Sequence, residues 1–204
     1  MNILQIDSSI LGEHSASRRL TAAIALRFKT LFPGSSLVYR DVVQREVPHL
    51  TGALAVIATI PLEQQSVALR EAAAERDAVV EEVLAADVII IGAPMYNFAI
   101  PSQLKAWVDA LAIAGKTFTY EATGPKGLLT GKRVIVASTR GNLYAEGSAY
   151  ASFDHQESHL RGFFSFLGVT DFEVVRAEGL KLSDESMRTA MEAGLRQASE
   201  LAAA

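Results

Sequence analysis

The sequence predicts an α/β fold: a doubly wound, five-stranded parallel sheet in the order 2-1-3-4-5, with helices on both faces. Three observations carry this expectation. Strand-like apolar segments alternate with helical patterns along the whole chain, as successive βα units require. The middle strand segment, residues 88–91, is an unbroken β-branched run, which suits a strand buried on both faces. Three of the strand segments end in loops of hydroxyl, aromatic or small polar residues, the place where open α/β sheets bind ligands.

Residues 2–7 form the first predicted strand, with Ile3, Leu4 and Ile6 apolar. A loop containing Ser8, Ser9, Ser15 and Ser17 follows, then a helix over residues 17–32 that stops at Pro33-Gly34. The second strand spans residues 36–41, and an irregular piece runs from Val42 past Ile60 to Pro61. A long helix is expected over residues 62–86, its middle rich in Ala and charge and read as a solvated face. After the third strand comes a loop between Pro94 and Pro101, and Pro101 stands where a helix can begin without an N–H. Leu104, Trp107, Val108 and Leu111 give that helix an apolar stripe, with Trp107 in the core. Residues 116–120 alternate as an extended arm, and residues 124–127 read as a loop. The fourth strand spans residues 132–138 and ends in Thr139-Arg140-Gly141-Asn142. A helix over 153–167, a fifth strand over 170–177 and a helix over 183–201 complete the chain.

The 204 residues fit one domain, residues 1–204. A net charge of −4 with scattered Lys and Arg gives no footprint for nucleic acid. With no cysteine, thiol nucleophiles, disulfides and Fe–S clusters are excluded, in keeping with a cytoplasmic setting. No signal peptide is evident, and no apolar run approaches the ~20 residues that span a bilayer. His155 and His159 have the i, i+4 spacing that can bind zinc, but the Glu is misplaced for H-E-x-x-H and no third ligand is obvious, so no metal is expected. Neither G-x-G-x-x-G, nor a Walker A loop, nor G-x-S-x-G is present.

The serine loop has hydroxyls that can donate to a phosphate, and the following helix N-terminus adds free N–H groups. Ser15 or Ser17 as a simple helix cap is the plainer alternative. In the Pro94–Phe98 loop, Met95, Tyr96 and Phe98 offer apolar surface, Asn97 offers donors and an acceptor, and Gly92 lets backbone approach closely. That content suits a planar heterocycle with polar edges; core packing of the aromatics is the alternative. In a 2-1-3-4-5 sheet both loops open at the switch point between strands one and three, so the two signals converge on one crevice.

Asp7-Ser8-Ser9 with Ser15-Ala16-Ser17, Pro94-Met95-Tyr96-Asn97-Phe98 with Pro101, and Thr139-Arg140-Gly141 together resemble the bacterial FMN-dependent NADH-azoreductases, which belong with the NAD(P)H:quinone oxidoreductases of flavodoxin-like fold. The similarity runs over nearly the whole chain. Thr139 and Asn142 depart from the frequent Ser-Arg-Gly-Gly at that segment. The resemblance implies non-covalent FMN, with Ser9, Ser15, Ala16 and Ser17 on its phosphate. Pro94, Met95, Tyr96, Asn97 and Phe98 would hold the isoalloxazine, and Thr139, Arg140, Gly141 and Asn142 its pyrimidine edge. Tyr120 and Phe163 resemble aromatics on the substrate side of the flavin. It also implies a homodimer with each flavin at the interface, NADH or NADPH as donor, and ping-pong reduction of quinones by two electrons and of azo compounds to amines. No catalytic residue beyond the flavin is required by this scheme. An FMN-binding electron carrier without NAD(P)H turnover is the rival reading.

Overall fold

The computed structural model describes residues 1–203. Its elements are β1 (Asn2–Asp7), α1 (Ala16–Leu31), β2 (Ser36–Asp41), α2 (Gly52–Ala55), α3 (Val67–Ala85), β3 (Val88–Pro94), α4 (Ser102–Leu111), β4 (Phe118–Glu121), β5 (Gly124–Gly127), β6 (Arg133–Thr139), α5 (Glu157–Phe166), β7 (Asp171–Ala177) and α6 (Asp184–Glu200). The main sheet runs β2-β1-β3-β6-β7 with every neighbour parallel. Counting only those five strands, this is the predicted 2-1-3-4-5 order.

The period-two alternation of the buried strands assigns the two layers. Ile89 and Ile91 on β3 join Leu4, Ile6, Val134 and Val136 against α3, α4 and α5, with Val83, Trp107 and Phe164 at the centre. Val88 and Ile90 join Ile3, Ile135 and Val175 against α1 and α6, represented by Leu20, Ile24, Phe28 and Met191. Trp107 is fully buried, as its place on the apolar stripe of α4 predicts.

The structure corrects the sequence reading in four places. β4 and β5 form a separate antiparallel hairpin, where residues 116–120 read as an arm and 124–127 as a loop. Gly-Pro-Lys-Gly has poor strand propensity, and the strand exists because it pairs with Phe118–Glu121. Helix α3 begins at Val67, not at 62, because Ser66 caps it by accepting from the Leu69 N–H at 3.1 Å. Helix α5 begins at Glu157, not at 153, because the Asp154 carboxylate accepts from the Gln156 and Glu157 N–H groups. Finally, the charged face of α3 is not simply solvated. Glu75 and Glu82 bind the buried guanidinium of Arg40 on β2 at 2.6 and 2.7 Å. Burial raises the Glu75 carboxyl, but its hydrogen bonds to Arg40 and Arg45 outweigh that and hold it below the usual range.

Candidate functional site

β1 and β3 are paired from Ile3↔Val88 to Asp7↔Gly92, and their chains part at that end to enclose a crevice at the switch point. Gly92 is required there: a Cβ would stand 2.8 Å from the Asp7 carboxylate oxygen. The loop after β1 is locked across the crevice to the loop after β3. Ser8 donates to the Gly92 carbonyl at 2.6 Å, Ser9 Oγ lies 3.3 Å from the Tyr96 hydroxyl, and the Ile10 N–H donates to that same hydroxyl at 3.3 Å. The structure thus joins by direct hydrogen bonds the two loops that the sequence places at one crevice.

Ser9, Ser15 and Ser17 are all buried. Ser15 caps α1 by accepting from the Arg18 N–H, and its hydroxyl also lies 3.0 Å from that of Ser17. The cap and the cradle are therefore one arrangement. Among the described residues the Ala16 and Ser17 N–H groups have no protein acceptor, leaving the positive end of a 16-residue helix turned toward the loop.

Sequence reasoning missed the brace behind this loop. Arg18 donates to the Ser9 carbonyl at 2.9 Å and to the Tyr39 hydroxyl at 2.9 Å, and pairs with Asp41 at 2.7 Å. In the sequence Arg18 is one of the scattered basic residues, with nothing to mark its partners. Arg18 also stands 3.8 Å from Asp7, whose oxygens accept from Thr21 at 2.8 Å and Gln5 at 3.3 Å. Burial pushes the Asp7 carboxyl up, and these partners only partly offset it. Burial and the neighbouring Asp7 charge push the Tyr39 phenol up to about 12.

The β3 loop ends in a tight turn. Tyr96 N–H donates to the Ala99 carbonyl at 2.9 Å, and Ala99 N–H returns to the Tyr96 carbonyl at 3.1 Å. Asn97 and Phe98 both lie in the left-handed region, with φ of 49° and 72°. That conformation costs a non-glycine residue about 1–2 kcal/mol, and such strain is concentrated at ligand clamps. Among the described residues the Asn97 and Phe98 N–H groups are unpaired. The exposed Phe98 ring packs beside Phe153 at 5.2 Å and Tyr144 at 6.4 Å. Met95 and Tyr96 are half-buried, and Pro94 is the last residue of β3.

The third segment lies alongside, since Met95 N–H donates to the Thr139 carbonyl at 2.8 Å. Thr139 is buried, and Gly141 and Asn142 are half-buried with N–H groups that lack protein acceptors among the described residues. Arg140 is different. Its backbone N–H is taken by the Ala177 carbonyl, and its buried guanidinium faces Asp154 at 2.8 Å, Glu178 at 3.5 Å and Glu157. Burial raises the Glu157 carboxyl, but hydrogen bonds from Arg176 and the Arg140 charge outweigh it and hold it low.

Tyr120 and Phe163 are not brought into this cluster. Tyr120 is 74% exposed on the β4–β5 hairpin and touches Phe118, while Phe163 packs edge-on to Phe164 at 5.6 Å. His155 and His159 line an open depression of about 510 Å³ with Ala99, Ile100, Lys105 and Ser158. Burial and the Lys105 charge lower the His159 imidazole. Among the described residues no group of three metal-ligating side chains occurs, and no helix is long and apolar enough to cross a membrane.

Comparison with known proteins points the same way. A family of flavodoxin-like fold matches residues 1–202. An FMN-dependent NADH:quinone oxidoreductase of Sinorhizobium fredii is 54% identical over 191 residues, covering 94% of this chain and 92% of that one. One from Rhizobium meliloti is 52% identical with the same coverage. Among solved structures, an FMN-dependent NADH-azoreductase from Bacillus anthracis in complex with FMN superposes with a TM-score of 0.85 at 26% identity, covering 100% of both chains. With its parallel sheet, its crevice and these relatives in view, the chain belongs to the FMN-dependent NADH:quinone oxidoreductase family of flavodoxin-like fold.

Proposed function

We propose that this chain, acting as one FMN-binding unit over residues 1–204, oxidises NADH and reduces quinones by two electrons in a ping-pong cycle, with azo compounds as further acceptors. The observation that carries the reading is the convergence of three strand-end loops, all with unpaired N–H groups, on the β1–β3 crevice. Bound FMN supplies the two-electron chemistry between donor and acceptor.

The residues fit that cofactor. Ser9, Ser15 and Ser17 hydroxyls with the Ala16 and Ser17 N–H groups suit its phosphate. The nearest guanidinium, Arg18, is engaged by Asp41 and the Ser9 carbonyl, so the helix end and hydroxyls carry the anion. Met95 and Tyr96 offer half-buried apolar surface beside Pro94, and Asn97 and Phe98 offer unpaired N–H groups, to a flat ring. Gly141 and Asn142 N–H groups, beside the backbone of Thr139 and Arg140, suit an edge rich in acceptors, where fixed donors stabilise negative charge as it develops. No side-chain acid or base is needed.

A homodimer with each flavin at the interface is part of this reading. It accounts for Tyr120, which is too exposed on its hairpin for a ring that lines a pocket within one chain, and for the exposed Phe98, Tyr150 and Phe153. Phe163, partly buried against the core on α5, is assigned to the substrate side on the family resemblance alone. NADH as donor favours a cytoplasmic location. The test is an anaerobic spectrum of the FMN-loaded protein as NADH and then a benzoquinone are added. Bleaching by NADH and recovery with quinone are expected. Flavin binding without bleaching would favour an electron carrier, and no flavin binding would refute the reading.

A further inference from the structure

We propose that Gln156 is a positioning residue that sets the separation of the two ring-holding loops, 95–98 and 139–142. The inference rests on the functional reading above. Gln156 is fully buried and belongs to neither loop. Its Nε2 donates to the Ala93 carbonyl at 2.6 Å, and its Oε1 accepts from Ser138 Oγ and Arg140 Nε at 3.1 Å each. Ala93 and Ser138 are partners across β3 and β6, followed by Pro94↔Thr139, after which the two chains part into the loops. One amide therefore bridges the roots of both.

The chemistry requires an amide. The group must donate toward β3 and accept from two donors on the β6 side. A carboxylate lacks the donor and an aliphatic side chain lacks both. The flanking residues reinforce the same grip. Asp154 accepts from the Gln156 and Glu157 N–H groups at 3.1 and 3.2 Å, and from Arg140 at 2.8 Å. The His155 N–H donates to the carbonyl of the left-handed Phe98 at 3.1 Å. Residues 154–157 thus hold the strained turn of one loop and the guanidinium at the root of the other. Removing the amide takes away the side-chain donor of the Ala93 carbonyl and leaves the Arg140 Nε–H with Ser138 Oγ alone at 3.1 Å, so the side-chain bridge between the two loop roots is gone from a dry site.

The experiment compares wild type, Gln156→Leu and Ser138→Ala for FMN and riboflavin dissociation constants, flavin midpoint potential and thermal midpoint. In Gln156→Leu both dissociation constants are expected to rise by the same factor, about tenfold, because the ring and not the phosphate is affected. The potential shifts from the wild-type value. Ser138→Ala, which removes one of the three bonds to Gln156 together with the Arg140 Nε–H bond to Ser138 Oγ but keeps the amide bridge, moves the constants the same way by a smaller factor. A lowered thermal midpoint with both constants and the potential unchanged overturns the proposal, as does weakening confined to FMN. If Gln156→Leu yields no folded protein, Ser138→Ala decides by the same criteria. Wild type that binds flavin but does not oxidise NADH refutes the functional reading while leaving the Gln156 comparison decisive; wild type that binds no flavin overturns both.

Discussion

Gly127→Ala is expected to be the most damaging single-methyl change in the molecule. At Gly127 the β4–β5 hairpin lies directly on the turn after α5, and a Cβ there would stand 2.0 Å from the Leu167 carbonyl carbon and 2.1 Å from the Gly168 nitrogen. Ordinary contact begins at 3.4 Å, so one backbone must retreat by about 1.4 Å. Neither side can yield by rotating a side chain. The hairpin base is fixed by Leu128 N–H to the Thr117 carbonyl at 2.9 Å and by Leu129 N–H to the Leu167 carbonyl at 2.8 Å. The displacement stretches the second bond beyond hydrogen-bond range and strains the first. One lost bond at about 1 kcal/mol, with overpacking at about 1–3 kcal/mol, gives roughly 2–4 kcal/mol. For a chain of this size that lowers the melting temperature by about 10 °C. Calorimetry or circular dichroism reads it. Gly162→Ala is the control: that position on α5 has nothing within 4 Å, and the substitution is expected to stabilise by up to about 1 kcal/mol. A Gly127→Ala protein that melts within about 2 °C of wild type refutes the close-approach argument.

Arg18→Met releases the Ser9 loop and leaves Asp7 and Asp41 without their guanidinium; FMN affinity is expected to fall about tenfold while riboflavin affinity holds, measured by fluorescence quenching. Asn97→Ala puts a Cβ-only residue at φ 49°, so the flavin dissociation constant should rise and the apoprotein should lose about 1 kcal/mol in urea melts; unchanged flavin content and rates would refute the loop assignment. Glu157, held low by Arg176 and Arg140, contributes stability that is fully present above its unfolded pKa and is lost as pH falls through the lower folded value. Glu157→Gln should therefore be less stable at neutral pH and show a flatter loss of stability below the ordinary glutamate range. Asp7 has the opposite sign: its raised pKa costs stability at neutral pH, and that cost is relieved as pH falls toward its unfolded value.

The buried strands were legible because alternation and β-branching survive in the local sequence, and Val88, Ile89, Ile90 and Ile91 do partition between the two faces. The β4–β5 hairpin was not. A Gly-Pro-Lys-Gly strand has no propensity of its own and is held by Phe118–Glu121 on one side and by backbone contact at Leu167 and Gly168 on the other. The start of α5 was not legible because Asp154, by accepting from the Gln156 and Glu157 N–H groups, sets the first turn beyond itself. At the site, the serine and aromatic loops were visible from composition. Arg18 was visible only as a charge and Gln156 not at all, since a polar residue gains a role here from partners that lie far away in the chain.

The sequence by itself determined the order of the five main-sheet strands and of the long helices between them, the faces they bury, and the hydroxyl, aromatic and small residues at three strand ends. Those are local properties, written in periodicity and residue type. Only the tertiary structure decided that Ser9 meets Tyr96 across 87 positions, that Gln156 reaches Ala93 across 63, and that Asn97 and Phe98 take the left-handed turn. A hydrogen bond forms only where the sheet register delivers donor to acceptor within about 3 Å, and local periodicity carries no record of which distant groups will meet.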